Sequence, residues 1–311
     1  MRQVATVGLI VSLSFLLASG TVVLAQPTPP IIDLHFHAQP GWNIPALVRL
    51  FDQLGVAKAG SGAGGPDTFW LSFASTYPDR FIPFGAQWHH LVLILREGAD
   101  IWNLQSPRIA DYLRLLEIDL RSGRIKGIGE IFVNNLNSHG PGFEPIRFPA
   151  DSPLMRRFWA FSATYGVPVQ VHAEATGPTI AEMERLLESG RQGTWLWAHT
   201  GFFIEPPALR QLFQKHPNLF CELSWRDERP GPRTKIPISD GGQLRPAWKE
   251  LLEEFPDRFV IGTDVSSPSL DGYARLIDYW RGILKQLSPE TAEKLAHQNA
   301  ARILKLPPLV K

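Results

Sequence analysis

After a proline-rich stretch near residue 30, short apolar runs alternate with longer amphipathic stretches eight times along the chain. The apolar runs cover residues 31–37, 57–61, 81–88, 125–132, 167–173, 194–199, 218–224 and 258–264. Several are almost continuously hydrophobic, the pattern of parallel strands covered on both faces. The second, short and glycine-rich, is the weakest. Helical patterns fill the gaps. Leu47, Leu50, Phe51 and Leu54 keep the i, i+3, i+4, i+7 spacing of one apolar stripe. Ile109, Tyr112, Leu113, Leu116 and Leu120 do the same, as do Met183, Leu186 and Leu187. Asp79 and Asp257 each precede Arg-Phe after an aromatic-proline pair, a helix-to-strand turn used twice.

Strand and helix alternating eight times predict a (β/α)8 TIM barrel. An open doubly wound sheet is the alternative, but no G-x-G-x-x-G follows the first strand, so its dinucleotide-binding form lacks the phosphate loop. Ser288-Pro289-Glu290 marks one more helix start, running through Leu295, Asn299 and Ile303 to close the barrel floor or side. Three connections, 89–105, 134–151 and 225–243, are long. All would follow strand C-termini, the catalytic face of a barrel, where long connections act as lids.

The first 25 residues read differently. Arg2 precedes an apolar stretch from Val7 to Ala18, and Val23-Leu24-Ala25 resembles a small-residue cleavage site. The expected organisation is a signal peptide over 1–25 and a single barrel over 26–311, giving a periplasmic or secreted protein without stable membrane association. An uncleaved anchor is the competing reading, since residues 4–25 approach the ~20 needed to span a bilayer. Cys221 is the only cysteine, so an intrachain disulfide is excluded and the core must carry stability. With 31 basic and 30 acidic residues, the chain lacks the basic excess of a nucleic-acid binder, and the expected partner is a small-molecule substrate. Homo-oligomer formation is left open.

Candidate chemistry sits at the ends of the apolar runs. His35 and His37 form a His-x-His pair, which strand periodicity places on one face. Glu130, His172, His199 and Asp264 close the fourth, fifth, sixth and eighth runs. A lone buried histidine is usually a hydrogen-bonded core residue. Six such groups at strand ends instead point to a shared divalent metal. His216 and His297 fall on helical segments as surface or packing residues, and His89, His90 and His139 lie on mouth connections. On the seventh run Glu222, Ser224 and Arg226 share parity, so Arg226 can point into the mouth and hold a carboxylate or phosphate. The bland alternative makes it an exposed partner of Asp227 or Glu228. Glu174 shares parity with His172 and can line the pocket or orient a ligand. Trp88, Trp195, Trp197 and Trp225 could form an apolar wall, though such residues usually pack a core.

The pieces Asp33-Leu34-His35-Phe36-His37, Val171-His172-Ala173-Glu174, Ala198-His199-Thr200-Gly201 and Gly262-Thr263-Asp264 resemble the amidohydrolase superfamily. The closing Asn299-Ala300-Ala301-Arg302-Ile303-Leu304 is similar to the tail of its amidohydrolase-related group. The resemblance implies His35, His37, His172 and Asp264 as metal ligands, with His199 binding a second ion or orienting substrate. Glu130 resembles the fourth-strand glutamate of TatD-like hydrolases, which can bridge two ions, although the flanking residues depart from that family. No lysine ends the fourth strand, so a carbamylated-lysine bridge is not expected.

The expected cofactor is one or two divalent ions, zinc first, with manganese or iron compatible with the same donors. Asp264 and His199 are the expected catalytic residues. Asp264 would take the proton from metal-activated water, and His199 would help polarise the bond attacked. The expected function is hydrolysis of a small amide, lactone or ester. The alternatives are metal-dependent decarboxylation, known in the amidohydrolase-related group, a TatD-like nuclease disfavoured by the balanced charge, and a non-catalytic metal- or ligand-binding barrel.

Overall fold

The structure, a computed structural model, describes residues 28–37, 41–60, 67–85, 104–136, 145–231, 235–265, 267–307 and 309. The signal-like segment, Trp88, His89, His90 and His139 lie outside these residues.

Strand β1 (Ile31–Asp33) pairs parallel with β2 (Val56–Gly60), and β2 with β3 (Phe81–Ile82). A second parallel run joins β4 (Ile128–Asn135), β5 (Pro168–Ala173), β6 (Thr194–Ala198), β7 (Leu219–Glu222) and β8 (Phe259–Val260). Two parallel bridges, Gly85 to Ile128 and Phe36 to Val265, join the runs at both seams. Gly129 N–H donates to Gly85 O at 2.7 Å across one seam, and Leu34 N–H to Ile261 O at 2.9 Å across the other. The hydrogen bonds therefore run round a closed ring, the barrel the alternating pattern implied.

Helices α1 (Ile44–Leu54), α2 (Asp67–Thr76), α3 (Pro107–Ser122), α4 (Pro153–Tyr165), α5 (Gly177–Ser189), α6 (Pro206–Lys215), α7 (Pro246–Glu254) and α8 (Leu270–Leu284) surround it. Proline occupies the first turn of most of them, where its missing N–H costs nothing. In α1, Asn43 Oδ1 accepts from Ala46 N–H, Gly55 ends the helix in the left-handed region, and Leu47 and Phe51 are buried. The main apolar cluster lies between helices and strands, with Trp195, Trp197, Trp248 and Trp280 fully buried.

A second cluster, with Ile32, Ile82, Leu196, Phe220 and Val260, sits towards the strand N-termini and is capped by Ala300, Ile303 and Leu304 of the terminal helical run. There Asn299 Nδ2 donates to Pro256 O at 2.7 Å and to Phe259 O at 2.8 Å, pinning the run to the start of β8. Apolar residues thus fill the floor of the barrel, leaving the polar ones for the opposite end.

Several expected bounds change. β4 starts at Ile128 and runs to Asn135, so Glu130 is its third residue rather than near its end. β8 is regular over only two residues, although the backbone beyond it still bonds to strand 1, with Asp264 N–H donating to His35 O at 2.6 Å. The 134–151 connection is not wholly irregular, because Ile146–Arg147 pairs antiparallel with the end of β4. A short hairpin, Ser239–Asp240 with Gln243–Leu244, lies in and just past the 225–243 connection. Cys221 is buried, and burial pushes its thiol well above the ordinary range, leaving it inert. Among the described residues no helix is long and apolar enough to cross a membrane.

Candidate metal centre

His35, His37, His172, His199 and Asp264, at or just past strand ends, meet Glu130 from within β4 in one cluster. Two overlapping sets, His35–His37–Asp264 and His35–Glu130–His199, each place three donor atoms within 4.8 Å of one another. His35 Nε2 stands 3.3 Å from Glu130 Oε2 and 3.5 Å from Asp264 Oδ1. Glu130 Oε1 lies 3.0 Å from His172 Nδ1 and 3.1 Å from His199 Nε2, while Asp264 Oδ1 contacts His37 Nε2. His172 packs flat on Phe132 with ring centroids 4.2 Å apart, and Phe202 leans on His199 at 4.4 Å. Side-chain exposure separates the two sides of the cluster. His37 and Asp264 keep 10% and 12%, whereas His35, Glu130, His172 and His199 keep 1% or less, so the open side is at His37 and Asp264.

The donors fit a divalent ion. Two ligand atoms held 2.0–2.2 Å from one tetrahedral ion stand roughly 3.3–3.6 Å apart, which spans the His35–Glu130 and His35–Asp264 separations. His35 Nε2 is buried without a hydrogen-bond partner, as a nitrogen aimed at a metal would be. Burial opposes charge on all three central groups, yet their neighbours outweigh it. Asp264, Glu130 and Glu222 push the His35 imidazole well above its usual range. His35, with hydrogen bonds from His172 and His199, holds Glu130 well below the usual carboxylate range, and His35 and His37 do the same for Asp264. Three buried carboxylates facing imidazoles therefore favour positive charge in the cluster, carried by imidazolium or by a bound cation.

Other side chains fix these donors. Glu222, fully buried, accepts from His35 Nδ1 at 2.8 Å, His199 N–H at 3.2 Å and Ser224 Oγ at 2.8 Å, and also from Ser224 N–H. Ser224 Oγ lies 2.8 Å from His199 Nδ1. Nδ1 of His35 is thereby held by a carboxylate, leaving Nε2 as the nitrogen that would ligate a metal. At the first and eighth strand ends, Asp33 accepts from Thr263 N–H at 2.9 Å, Thr263 Oγ1 at 2.7 Å and His35 N–H at 3.1 Å. This latch ties the His-x-His segment to the turn carrying Asp264. Trp225 Nε1 donates to Asp264 Oδ2.

Backbone strain concentrates here. His199, Thr200, Phe202, Trp225 and Asp264 all have φ between 45° and 65°, a region non-glycine residues seldom occupy. Such residues gather where the surrounding structure must aim particular side chains.

Arg226 requires a correction. Its guanidinium is fully buried, donates to Ile204 O at 3.0 Å and lies over the Trp248 ring at 4.6 Å. It is neither the expected mouth residue nor an exposed partner of Asp227 or Glu228. Strand parity ends at Trp225, whose positive φ turns the following residue inward. Glu174 is buried, and its N–H donates to Asn134 O at 3.2 Å; it belongs to neither donor set. His216 packs behind α6, 3.1 Å from Glu184 Oε1, and His297 pairs with Glu293 at 2.7 Å. Glu222, Asp33, Ser224 and Trp225 are site residues whose roles the sequence did not show. Parity brought Glu222 to the right face, but nothing distinguished a carboxylate that holds a ligand from one that is a ligand.

Comparison with known proteins adds the family. The amidohydrolase family model matches residues 32–306, nearly the whole barrel. The chain belongs to the amidohydrolase family. No curated protein matches it. Among solved structures, this amidohydrolase is similar to 2,6-dihydroxybenzoate decarboxylase from Rhizobium, at 15% identity over 89% of this chain and 99% of that one, with a TM-score of 0.54. A dihydroxybenzoic acid decarboxylase from Polaromonas, solved with manganese and the inhibitor 2-nitroresorcinol, matches at 15% identity, 89% and 97% coverage and TM-score 0.54. An uncharacterised TIM-barrel protein from Bordetella bronchiseptica matches at 17% identity, 89% and 98% coverage and TM-score 0.53. At these identities the likeness concerns the fold.

Proposed function

We propose that this amidohydrolase is a metal-dependent hydrolase cleaving a small amide, lactone or ester. The supporting observation is Asp264: an ionised carboxylate on the open side of the cluster, at ligand-pair distance from His35 and steadied by the Trp225 indole. His35, His37, Glu130, His172 and Asp264 would hold the metal, His35 being common to both donor sets and Glu130 belonging to the set with His199. His199 would ligate the second ion or donate to the substrate. A divalent ion in such a shell supplies Lewis acidity and brings the pKa of a held water from about 15.7 to about 7.

The chain's own groups do the rest. Asp264 Oδ1 takes the proton from the attacking water and delivers it to the leaving group. Glu222 and Ser224 keep the His35 and His199 rings oriented. Phe132 and Phe202 wall the inner side against bulk water. Zinc is the leading metal, with manganese and iron suited to the same imidazole–carboxylate set. We further propose that residues 1–25 direct export to the periplasm or medium, which N-terminal sequencing of the mature protein tests.

A second reading, decarboxylation with one ion, is favoured by the activities named for the Rhizobium and Polaromonas relatives. Metal analysis with parallel assays separates the two. Turnover of a lactone, amide or ester panel, lost on metal removal and in Asp264→Asn, supports hydrolysis. CO2 release from hydroxybenzoates with no hydrolysis of the panel supports the second reading. Tightly held metal with neither activity would favour a binding barrel.

A further inference from the structure

Asp264 has two oxygens, and the fold gives them different neighbours. Oδ1 contacts His37 Nε2 and stands 3.5 Å from His35 Nε2, within one donor set. Oδ2 instead accepts the indole N–H of Trp225, with His199 Nδ1 3.8 Å off. An indole carries one donor and no acceptor, so this is the hydrogen bond the Trp225 ring has to make. The ring itself is clamped. Arg229 lies over it at 4.2 Å and Lys235 at 5.4 Å, and Asp227 holds both cations, at 2.9 and 3.5 Å. Gly231 closes the benzo edge, where an added Cβ would come within 2.7 Å of the ring. Arg229 Nη2 also donates to the carbonyl of Thr263, the residue before Asp264, at 2.6 Å. Trp225 and Arg229 therefore grip Asp264 at two points, its carboxylate and the peptide that precedes it.

A carboxylate that offers an ion both oxygens fills two positions of its shell, whereas one oxygen fills only one. That difference decides whether water or a substrate atom finds a place on the ion, which a catalytic site keeps open. Turning Oδ2 towards an ion would strip the Trp225 N–H of its acceptor, and a donor left without a partner is costly. Trp225 and Asp264 both hold left-handed backbone, at φ 57° and 45°, the strain expected where two side chains are aimed at each other. We propose that Trp225 is a positioning residue that reserves Asp264 Oδ2, so that the carboxylate meets the metal through Oδ1 alone and one coordination position stays open. The proposal rests on the metal-centre reading above. It applies to hydrolysis and decarboxylation alike, since water or a substrate atom takes that position in either.

Azide titration of the cobalt-loaded protein, followed by visible absorption, tests it, because azide takes an open position on cobalt and alters the d–d bands. Alongside go Trp225→Phe, which keeps a ring without the N–H, and Trp225→His, which restores a ring N–H. The wild type should bind azide with a change in its bands. Trp225→Phe should keep its cobalt, show weaker bands as the coordination number rises, and lose about 10-fold in azide affinity. Trp225→His should recover part of that loss. A wild type that does not respond to azide, undiminished azide binding in Trp225→Phe, or an equal loss in both variants overturns the assignment. The readout needs no turnover. A chain that takes up no cobalt would remove the metal-centre reading and the proposal together. Cobalt bound normally, with azide binding indifferent to the indole, would remove the role of Trp225 alone.

Discussion

Replacing Glu222 with glutamine changes one charge and almost no volume, and its consequences follow from counting donors. Oε2 now accepts from the His35 ring, His199 N–H and Ser224 Oγ, and Oε1 from Ser224 N–H. A glutamine offers a single carbonyl oxygen, and its amide would meet at least one of these donors head-on. One buried donor left unsatisfied costs about 1–3 kcal/mol of folding stability. The same change weakens the bond that fixes the His35 tautomer and removes one of the negative charges facing the ion. Groups that orient a ligating histidine typically contribute 10- to 100-fold in metal affinity, about 1.4–2.7 kcal/mol. Competitive chelator titration of wild type and Glu222→Gln measures the affinity, and urea denaturation of the metal-loaded proteins measures the stability. An affinity within twofold of wild type would refute the orienting role, whatever happened to stability.

Three further outcomes follow from particular contacts. Gly129 has φ +123°, and an added Cβ would collide with the Gln170 carbonyl oxygen of the adjoining strand, so Gly129→Ala should lose about 3–5 kcal/mol and lower the melting temperature sharply. Asp33→Ala frees Thr263 N–H and His35 N–H and leaves Thr263 Oγ1 only His35 O at 3.3 Å, for about 2–5 kcal/mol in chemical denaturation, and should also weaken metal binding because the Asp264 turn loses its latch. Glu184 is held below the ordinary glutamate range: burial opposes this, but bonds to His216 and Lys215 prevail. A carboxyl with a depressed native pKa contributes stability above its unfolded pKa that is lost as pH falls through the native one. The stability gap between wild type and Glu184→Gln should therefore be open at pH 7 and close as the pH drops below the glutamate range; a gap independent of pH would contradict it.

The alternation of apolar runs carried most of the barrel, because buried parallel strands are hydrophobic on both faces and their positions survive without knowledge of their partners. It failed where regular pairing stops. Phe259–Val260 is the whole of β8, and the residues that follow are held by Asp33 and by strand 1 rather than by a ladder. Arg226 shows the same limit: period-two parity is a property of extended backbone, and the positive φ of Trp225 ended it one residue early. Ligand-type side chains at strand ends were visible as residue types. What held them was not. Glu222 and Asp33 are carboxylates 187 and 230 residues from the partners they fix, and only the closed ring brings them together.

The central claim is that His35, His37, Glu130, His172, His199 and Asp264, gathered from five strands of the barrel and the turns after them, share a metal. X-ray absorption spectroscopy with elemental analysis of the purified protein addresses it most directly. The account predicts at least one tightly held divalent ion per chain, with imidazole nitrogens and carboxylate oxygens in its shell and imidazole scattering reduced in His172→Ala. A protein that purifies and reconstitutes without metal, or an ion whose shell contains no imidazole, would contradict it.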